Sequence, residues 1–198
     1  MARKQQEKSL QTKKELMESS CELFGKKGFM ETTVAQITKH AGYAKGSFYR
    51  HWESKDKLFL EIVEEKLAGY RNFRDDRLDK ATSLEEVMNI IWDFLENIVR
   101  DQNWANVFLE FAIHASRTPE LREDLSLSQY RLSETVFADL VRDFVETDYP
   151  PEKIGAFNTI LFEGFMVQNA LQTGIVNMRD VRENAISLAL SNGLKKAE

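Results

Sequence analysis

The sequence predicts an all-α protein of about nine helices, a short N-terminal helix-turn-helix module of three helices followed by a larger helical domain. Three observations predict it. Only Pro119, Pro150 and Pro151 interrupt 198 residues, and no stretch alternates apolar and polar residues with β-branched enrichment for the length of a strand. Apolar residues recur at helical spacing through most of the chain. Helix start and stop residues punctuate that periodicity often enough to separate the elements.

The first helix is expected from about Ser9 to Lys26, burying Leu16, Ser20, Leu23 and Phe24, with Gly28 free to turn left-handed behind it. Thr33 caps the second helix and Gln36 completes a capping box; this helix ends before Gly42. The third occupies roughly Ala44 to His51. Ser54 caps the fourth, which carries Asp56 in its first turn and extends to about Leu78. Ser83 with Glu86 opens a helix to about Arg100, and Asn103 opens one to about Ser116. Thr118 precedes Pro119, whose missing N–H costs nothing at the first helical position, and that helix is expected to run to Glu146. Pro151 opens the next as far as Gln172, and Asn177 with Asp180 opens the last to about Lys195. Residues 1–53 are read as one domain and residues 54–198 as another, with the fourth helix, 54–79, as a rigid connector because Gly, Pro and Ser are sparse around it.

Charge separates the same two parts. Residues 1–57 carry 12 Lys and Arg against 7 Asp and Glu, whereas the remaining 141 carry 15 against 25, giving the net −5 of the whole. A basic end on an acidic body is the electrostatic footprint of a nucleic-acid-binding module attached to something that should not bind nucleic acid. The single cysteine, Cys21, lies in a helical pattern that would bury it and excludes an intramolecular disulfide, which suits a cytoplasmic protein. No apolar run is long enough for a membrane span, and the N-terminus MARKQQEKS is not a secretory signal.

The stretch from Thr33 to Leu58 has the pattern of a groove-reading element. Val34, Ile37 and Ala41 give its first helix an apolar face, Gly42 supplies the turn, and Phe48 and Trp52 anchor its second helix. Tyr43, Ala44, Lys45, Ser47, Tyr49, Arg50 and His51 are left exposed in this reading, a set of cations, hydroxyls and aromatics rather than the Glu and Gln of a solvated face. Thr33 and Lys55 offer helix N-termini and charge to phosphates. Tyr43, Ala44, Lys45 and Ser47 approach base edges, Tyr49, Arg50 and His51 grip the backbone, and Gly46 has no side chain to hold the groove wall away. The basic residues Arg3, Lys4, Lys8, Lys13 and Lys14 suit either a groove-reaching arm or a solubilising tail.

The run FGKKGFMETTVAQITKHAGYAKGSFYRHWESKDKLF resembles the N-terminal domain of the TetR (tetracycline-repressor-like) family of bacterial transcriptional regulators. The resemblance implies a three-helix DNA-binding domain on an all-helical, ligand-binding and dimerising C-terminal domain. It matches Thr33 to the family's phosphate-binding start of the second helix, Lys45, Gly46 and Ser47 to its Lys-Gly-Thr, Tyr49 and His51 to its Tyr and His, and Lys55 to its phosphate ligand on the fourth helix. Ala44 stands where Ser is frequent, and Arg50 and Trp52 where Tyr and Phe are frequent, so no operator sequence is carried over.

A single recognition helix covers few base pairs, so specific reading requires two, about 34 Å apart. Residues 151–172 are apolar nearly all round and residues 177–195 carry a matching stripe, which together make Phe157, Ile160, Leu161, Val167, Val181, Ala185 and Leu188 the expected homodimer surface; a monomer core is the plainer reading. Aromatics concentrate between Trp92 and Phe111, where core and effector pocket both fit. Trp92, Trp104, Phe108, Phe111, His114, Phe165, Met166 and Asn169 are the candidate lining for an unknown small-molecule effector. Glu110 and His114 are spaced as a surface salt bridge; without a third ligand they make no metal site. No Ser/His/Asp constellation, phosphate loop or CxxC pair is present, so neither enzymatic activity nor a cofactor is expected. The expectation is a repressor released from a palindromic DNA operator when an apolar or amphipathic molecule shifts the fourth helix. The alternative is a helical small-molecule-binding sensor without specific DNA binding.

Overall fold

The computed structural model describes residues 2–125, 131–144 and 149–193. Among them are ten helices and no strand: α1 (Ala2–Lys27), α2 (Val34–His40), α3 (Lys45–Tyr49), α4 (Lys55–Leu78), α5 (Leu84–Val99), α6 (Gln102–Ser116), α7 (Pro119–Leu125), α8 (Arg131–Phe144), α9 (Pro151–Ala170) and α10 (Met178–Gly193). The single helix expected from Thr118 to Glu146 is met by α7 and α8; residues 126–130 and 145–148 lie outside the described residues, as do 194–198, which include the expected end of the last helix. No helix among the described residues is long and apolar enough to cross a membrane.

The punctuation residues act as their chemistry requires. Thr33 and Gln36 form a reciprocal capping box on α2, and the Ser54 hydroxyl accepts from the Lys57 N–H at the start of α4. α2 ends in a Schellman motif: the Tyr43 N–H reaches the Thr38 carbonyl at 2.8 Å, the Gly42 N–H reaches that of Lys39 at 3.3 Å, and Gly42 holds φ 76°. Two expectations shift. α1 begins at Ala2 rather than Ser9, so the basic N-terminus is helix, not an extended arm. α6 opens on Asp101, whose carboxylate accepts from the Trp104 N–H, which leaves Asn103 inside the helix.

Two main apolar clusters organise the chain. The first gathers Leu16, Leu23 and Phe24 of α1, Phe29, Ile37, Phe48, Trp52, and Leu58, Phe59 and Ile62 of α4, and it continues into α6 and α7 through Val107, Phe111, Ala115 and Leu121. Phe29 is its hub, with ring centroids 5.1 Å from both Phe59 and Phe111 and 5.4 Å from Phe24. The second cluster joins α5, α6, α8, α9 and α10 around Trp92, Phe137, Ile154, Phe162 and Met166. α9 packs between α8 and α10, while α6 packs on α1, α5, α7 and α9, and therefore spans both clusters.

Candidate nucleic-acid interface

The three-helix corner presents α3 outward. Phe48, fully buried, and Trp52 fix it to the core, and Trp52 is held further by donating its indole N–H to the Glu61 carboxylate on α4. Phe48 and Trp52 lie four residues apart, so their inward facing turns Ala44, Lys45, Gly46, Tyr49 and Arg50 to solvent. Tyr49 is 50% exposed, and the Lys45 ammonium stands 5.8 Å from its ring centroid. Gly46 has no atom within 4 Å of where a Cβ would sit, so the chain surface there is as low as a backbone permits. Thr33 is exposed at the start of α2.

Four of the expected contact residues are less free than the sequence suggests. Ser47 is buried, and its hydroxyl accepts from the Arg50 guanidinium at 3.0 Å. It lies one residue before Phe48 on the inward side of a five-residue helix, which explains the correction. Tyr43 is half-buried, and its hydroxyl donates to the Glu15 carboxylate on α1; this hydrogen bond and that from Gln11 hold Glu15 below the usual carboxylate range. His51 is half-buried beside Trp52; burial, followed by the charges of Lys13 and Arg50, pushes its pKa below the ordinary value and favours the neutral ring at pH 7.

Lys55 departs furthest. Its ammonium donates to the carbonyls of Phe29 at 2.6 Å and Thr32 at 2.8 Å and lies 4.1 Å from the Phe29 ring centroid. Burial lowers its pKa, although Asp56 and Glu110 favour the charge. The charge expected to meet phosphate is turned inward onto the loop before α2. Sequence spacing cannot separate these two uses of a lysine, because the loop carbonyls that capture it are defined by the tertiary fold.

Glu110 and His114 do not pair with each other. Glu110 accepts from the Phe29 N–H at 2.8 Å, and His114 meets Asp56 at the start of α4 at 3.0 Å. Both side chains of α6 thus reach into the N-terminal half.

The expected effector lining divides. Trp92 and Met166 are buried in the second cluster, where the Trp92 indole N–H donates to Asn158 Oδ1 at 3.1 Å, with Phe108 packed at its edge. Phe165 and Asn169 are half-buried on α9. Trp104, Phe111 and His114 belong instead to the aromatic junction with the N-terminal half, so the eight residues do not line one cavity. A cavity of about 270 Å³ opens between α1, α4 and α6, lined by Cys21, Phe24, Lys66, Asp101, Trp104 and Val107 among others, and of the expected lining only Trp104 faces it. Cys21 is half-buried there, and burial raises its thiol pKa against the pull of Lys66.

α9 has two faces. Ile154, Asn158, Phe162 and Met166 point into the second cluster, whereas Phe157 (41% exposed), Ile160 (58%), Val167 (43%) and Leu171 (69%) form an outward apolar stripe. Gly164 falls on this stripe, with no atom within 4 Å of a built Cβ. Leu188 of α10 is also exposed, while Leu161 and Val181 pack at the edge of the core. Ala185 is fully buried in its own chain and has no surface to offer a partner, contrary to expectation; its small side chain serves α10 packing inside the protomer.

Residues 16–62 match the family described as bacterial regulatory proteins, tetR family. Over the longer chain, the HTH-type transcriptional repressor AcnR of Corynebacterium efficiens is 24% identical across 187 residues, covering 91% of this chain and 95% of that protein. Among solved structures, FadR from Bacillus subtilis in complex with stearoyl-CoA superposes with a TM-score of 0.75 at 12% identity, covering 90% of this chain and 97% of that one. Thermus thermophilus FadR, a TetR-family transcriptional repressor in complex with lauroyl-CoA, superposes with a TM-score of 0.67 at 19% identity, over 94% and 97%.

Proposed function

We propose that the chain, whose residues 16–62 match the TetR family of bacterial regulatory proteins, is a DNA-binding transcriptional regulator that acts in the cytoplasm as a homodimeric repressor, without catalytic activity, released from a palindromic operator by an apolar or amphipathic small molecule. The observation that carries this reading is the α3 surface. A helix anchored by Phe48 and Trp52 turns Ala44, Lys45, Gly46, Tyr49 and Arg50 outward beside the exposed start of α2. Lys45 and Ala44 meet base edges, and Tyr49, Arg50 and His51, with the N-terminal N–H groups of α2 and α4, meet phosphates.

Pairing is supported by the outward stripe on α9. Phe157, Ile160, Val167 and Leu171 repeat at helical spacing around the bare surface of Gly164, which allows two copies of the helix to approach closely, with Leu188 at the rim. Effector binding in the helical body is supported by the two FadR structures, which hold acyl-CoA thioesters, amphipathic molecules, in the same fold. The effector acts by binding one arrangement of α6 and α4 more tightly than another, and the difference in its binding free energy to the two is the limit of its control.

An electrophoretic mobility shift with the DNA immediately upstream of the protein's own gene tests this reading. Retardation that survives excess unrelated DNA, at low salt and without added ligand, is expected. Retardation that unrelated DNA abolishes would contradict it.

A further inference from the structure

We propose that Glu110, on α6 in the effector half, is a positioning residue for DNA binding: its carboxylate clasps the loop that aims α2, giving α6 a direct hold on the reading module that bypasses the connector α4. The inference rests on the regulator reading of the chain. The loop is residues 28–32, between the end of α1 and the capping box of α2. Its N–H groups converge on one carboxylate oxygen: Glu110 Oε2 lies 2.8 Å from the Phe29 N–H and 3.4 Å from that of Met30.

Gly28 makes the approach possible. It holds φ 82°, and a Cβ there would stand 2.7 Å from both Glu110 carboxylate oxygens. The same loop is gripped on its carbonyl side by Lys55, through Phe29 and Thr32. An anion from α6 and a cation from α4 therefore hold opposite edges of one five-residue loop, and Phe29 is pinned between them against Phe59 and Phe111.

The clasp matters because of where the loop leads. Thr33, the cap of α2, is the next residue, and α2 in turn sets α3 through the Schellman turn at Gly42. A loop ordered before DNA arrives spares the ordering entropy that binding must otherwise supply, so releasing Glu110 weakens operator affinity without any loss of a DNA contact. Any displacement of α6 that withdraws the carboxylate has the same effect, and the five loop residues become the hinge.

The test uses the full chain carrying Glu110→Ala, Glu110→Gln or Gly28→Ala, with Met88→Ala as a core-destabilised control in the second cluster. Three readouts are needed: amide exchange at Phe29 and Met30, thermal midpoint, and affinity for the upstream DNA of its own gene. In Glu110→Ala, exchange at both amides rises at least tenfold and DNA affinity falls about tenfold, while Glu110→Gln, whose amide oxygen still accepts an N–H, recovers part of both. Gly28→Ala both displaces the carboxylate and strains the loop at φ 82°, so it loses at least as much as Glu110→Ala, and Met88→Ala lowers the midpoint yet binds DNA within twofold of the parent. If Glu110→Ala fails to fold, Glu110→Gln carries the comparison with a smaller expected loss. Parent-like DNA affinity in Glu110→Ala, or unchanged exchange at Phe29, overturns the clasp and leaves the regulator reading standing. Absence of specific DNA binding by the parent protein overturns both.

Discussion

Lys45 and Lys55 show how one residue type takes two roles ten positions apart. Lys45 stands exposed on α3 with the Tyr49 ring near its ammonium, whereas Lys55 is turned into carbonyls. Lys45→Ala is therefore expected to weaken operator binding about tenfold and lower the slope of log affinity against log salt by about one, with the thermal midpoint nearly unchanged. Tyr49→Ala should behave likewise without the full change in slope. Lys55→Ala is expected to cost about 1–2 kcal/mol of stability, read by thermal or denaturant unfolding, because it strips donors from half-buried carbonyls. His51 adds a pH signature. Its pKa in the free protein is held below the ordinary value, and a phosphate beside it, as proposed above, would raise it, so the complex would bind more protons than the free protein. Operator affinity should then increase as pH falls from about 7.5 to 6, and His51→Gln should flatten that dependence in anisotropy titrations.

At the scale of elements, helix ends and faces are legible from sequence, while contacts that bind one helix to another are not. The capping box at Thr33, the caps at Ser54 and Ser83, and the turn at Gly42 all depend on residues within six positions of each other, so local chemistry decides them. Glu110 and His114 meet the i, i+4 rule, but each finds a stronger partner on another element, and no periodicity could foresee that. The burial of Ser47 escapes sequence reasoning for a related cause: in a five-residue helix, one position of rotation decides exposure. Asp93 on α5 is a further contact that the sequence hides. It receives Arg77 from the end of α4 at 2.8 Å and Arg182 from α10 at 2.9 Å, tying three helices that lie far apart in the chain. Burial raises its pKa, but the two guanidiniums outweigh that and hold the carboxyl below its ordinary value of 3.8. A depressed carboxyl contributes stability that is complete above that value and lost as pH falls through the folded-state value. Asp93→Asn should cost about 1–2 kcal/mol at pH 7, given the half-exposed partners, and the gap from the parent protein in denaturant melts should begin to narrow only below about pH 4.

The whole molecule is organised by α6, which touches the DNA-reading cluster through Val107 and Phe111 and the effector-side cluster through Ala105 and Phe108. The charge asymmetry between residues 1–57 and the rest marks the two halves, yet the first core cluster runs on into α6 and α7, so the covalent boundary expected near residue 53 is bridged by packing. That bridging makes remote control physically reasonable, since neither half can shift without repacking shared aromatics. Pairing belongs to this scale too. Ile160→Glu with Val167→Glu should yield a monomer in sedimentation and lose operator binding by at least a hundredfold, while helix content stays that of the parent protein, because both side chains already face solvent in the protomer. In the proposed function two copies of α3 read DNA together. Footprinting of the full chain on the DNA upstream of its gene should then show two protected half-sites, related by a palindrome and centred about one helical turn apart, with Lys45→Ala weakening both together. A single unpaired half-site, or no sequence-specific protection at all, would contradict it.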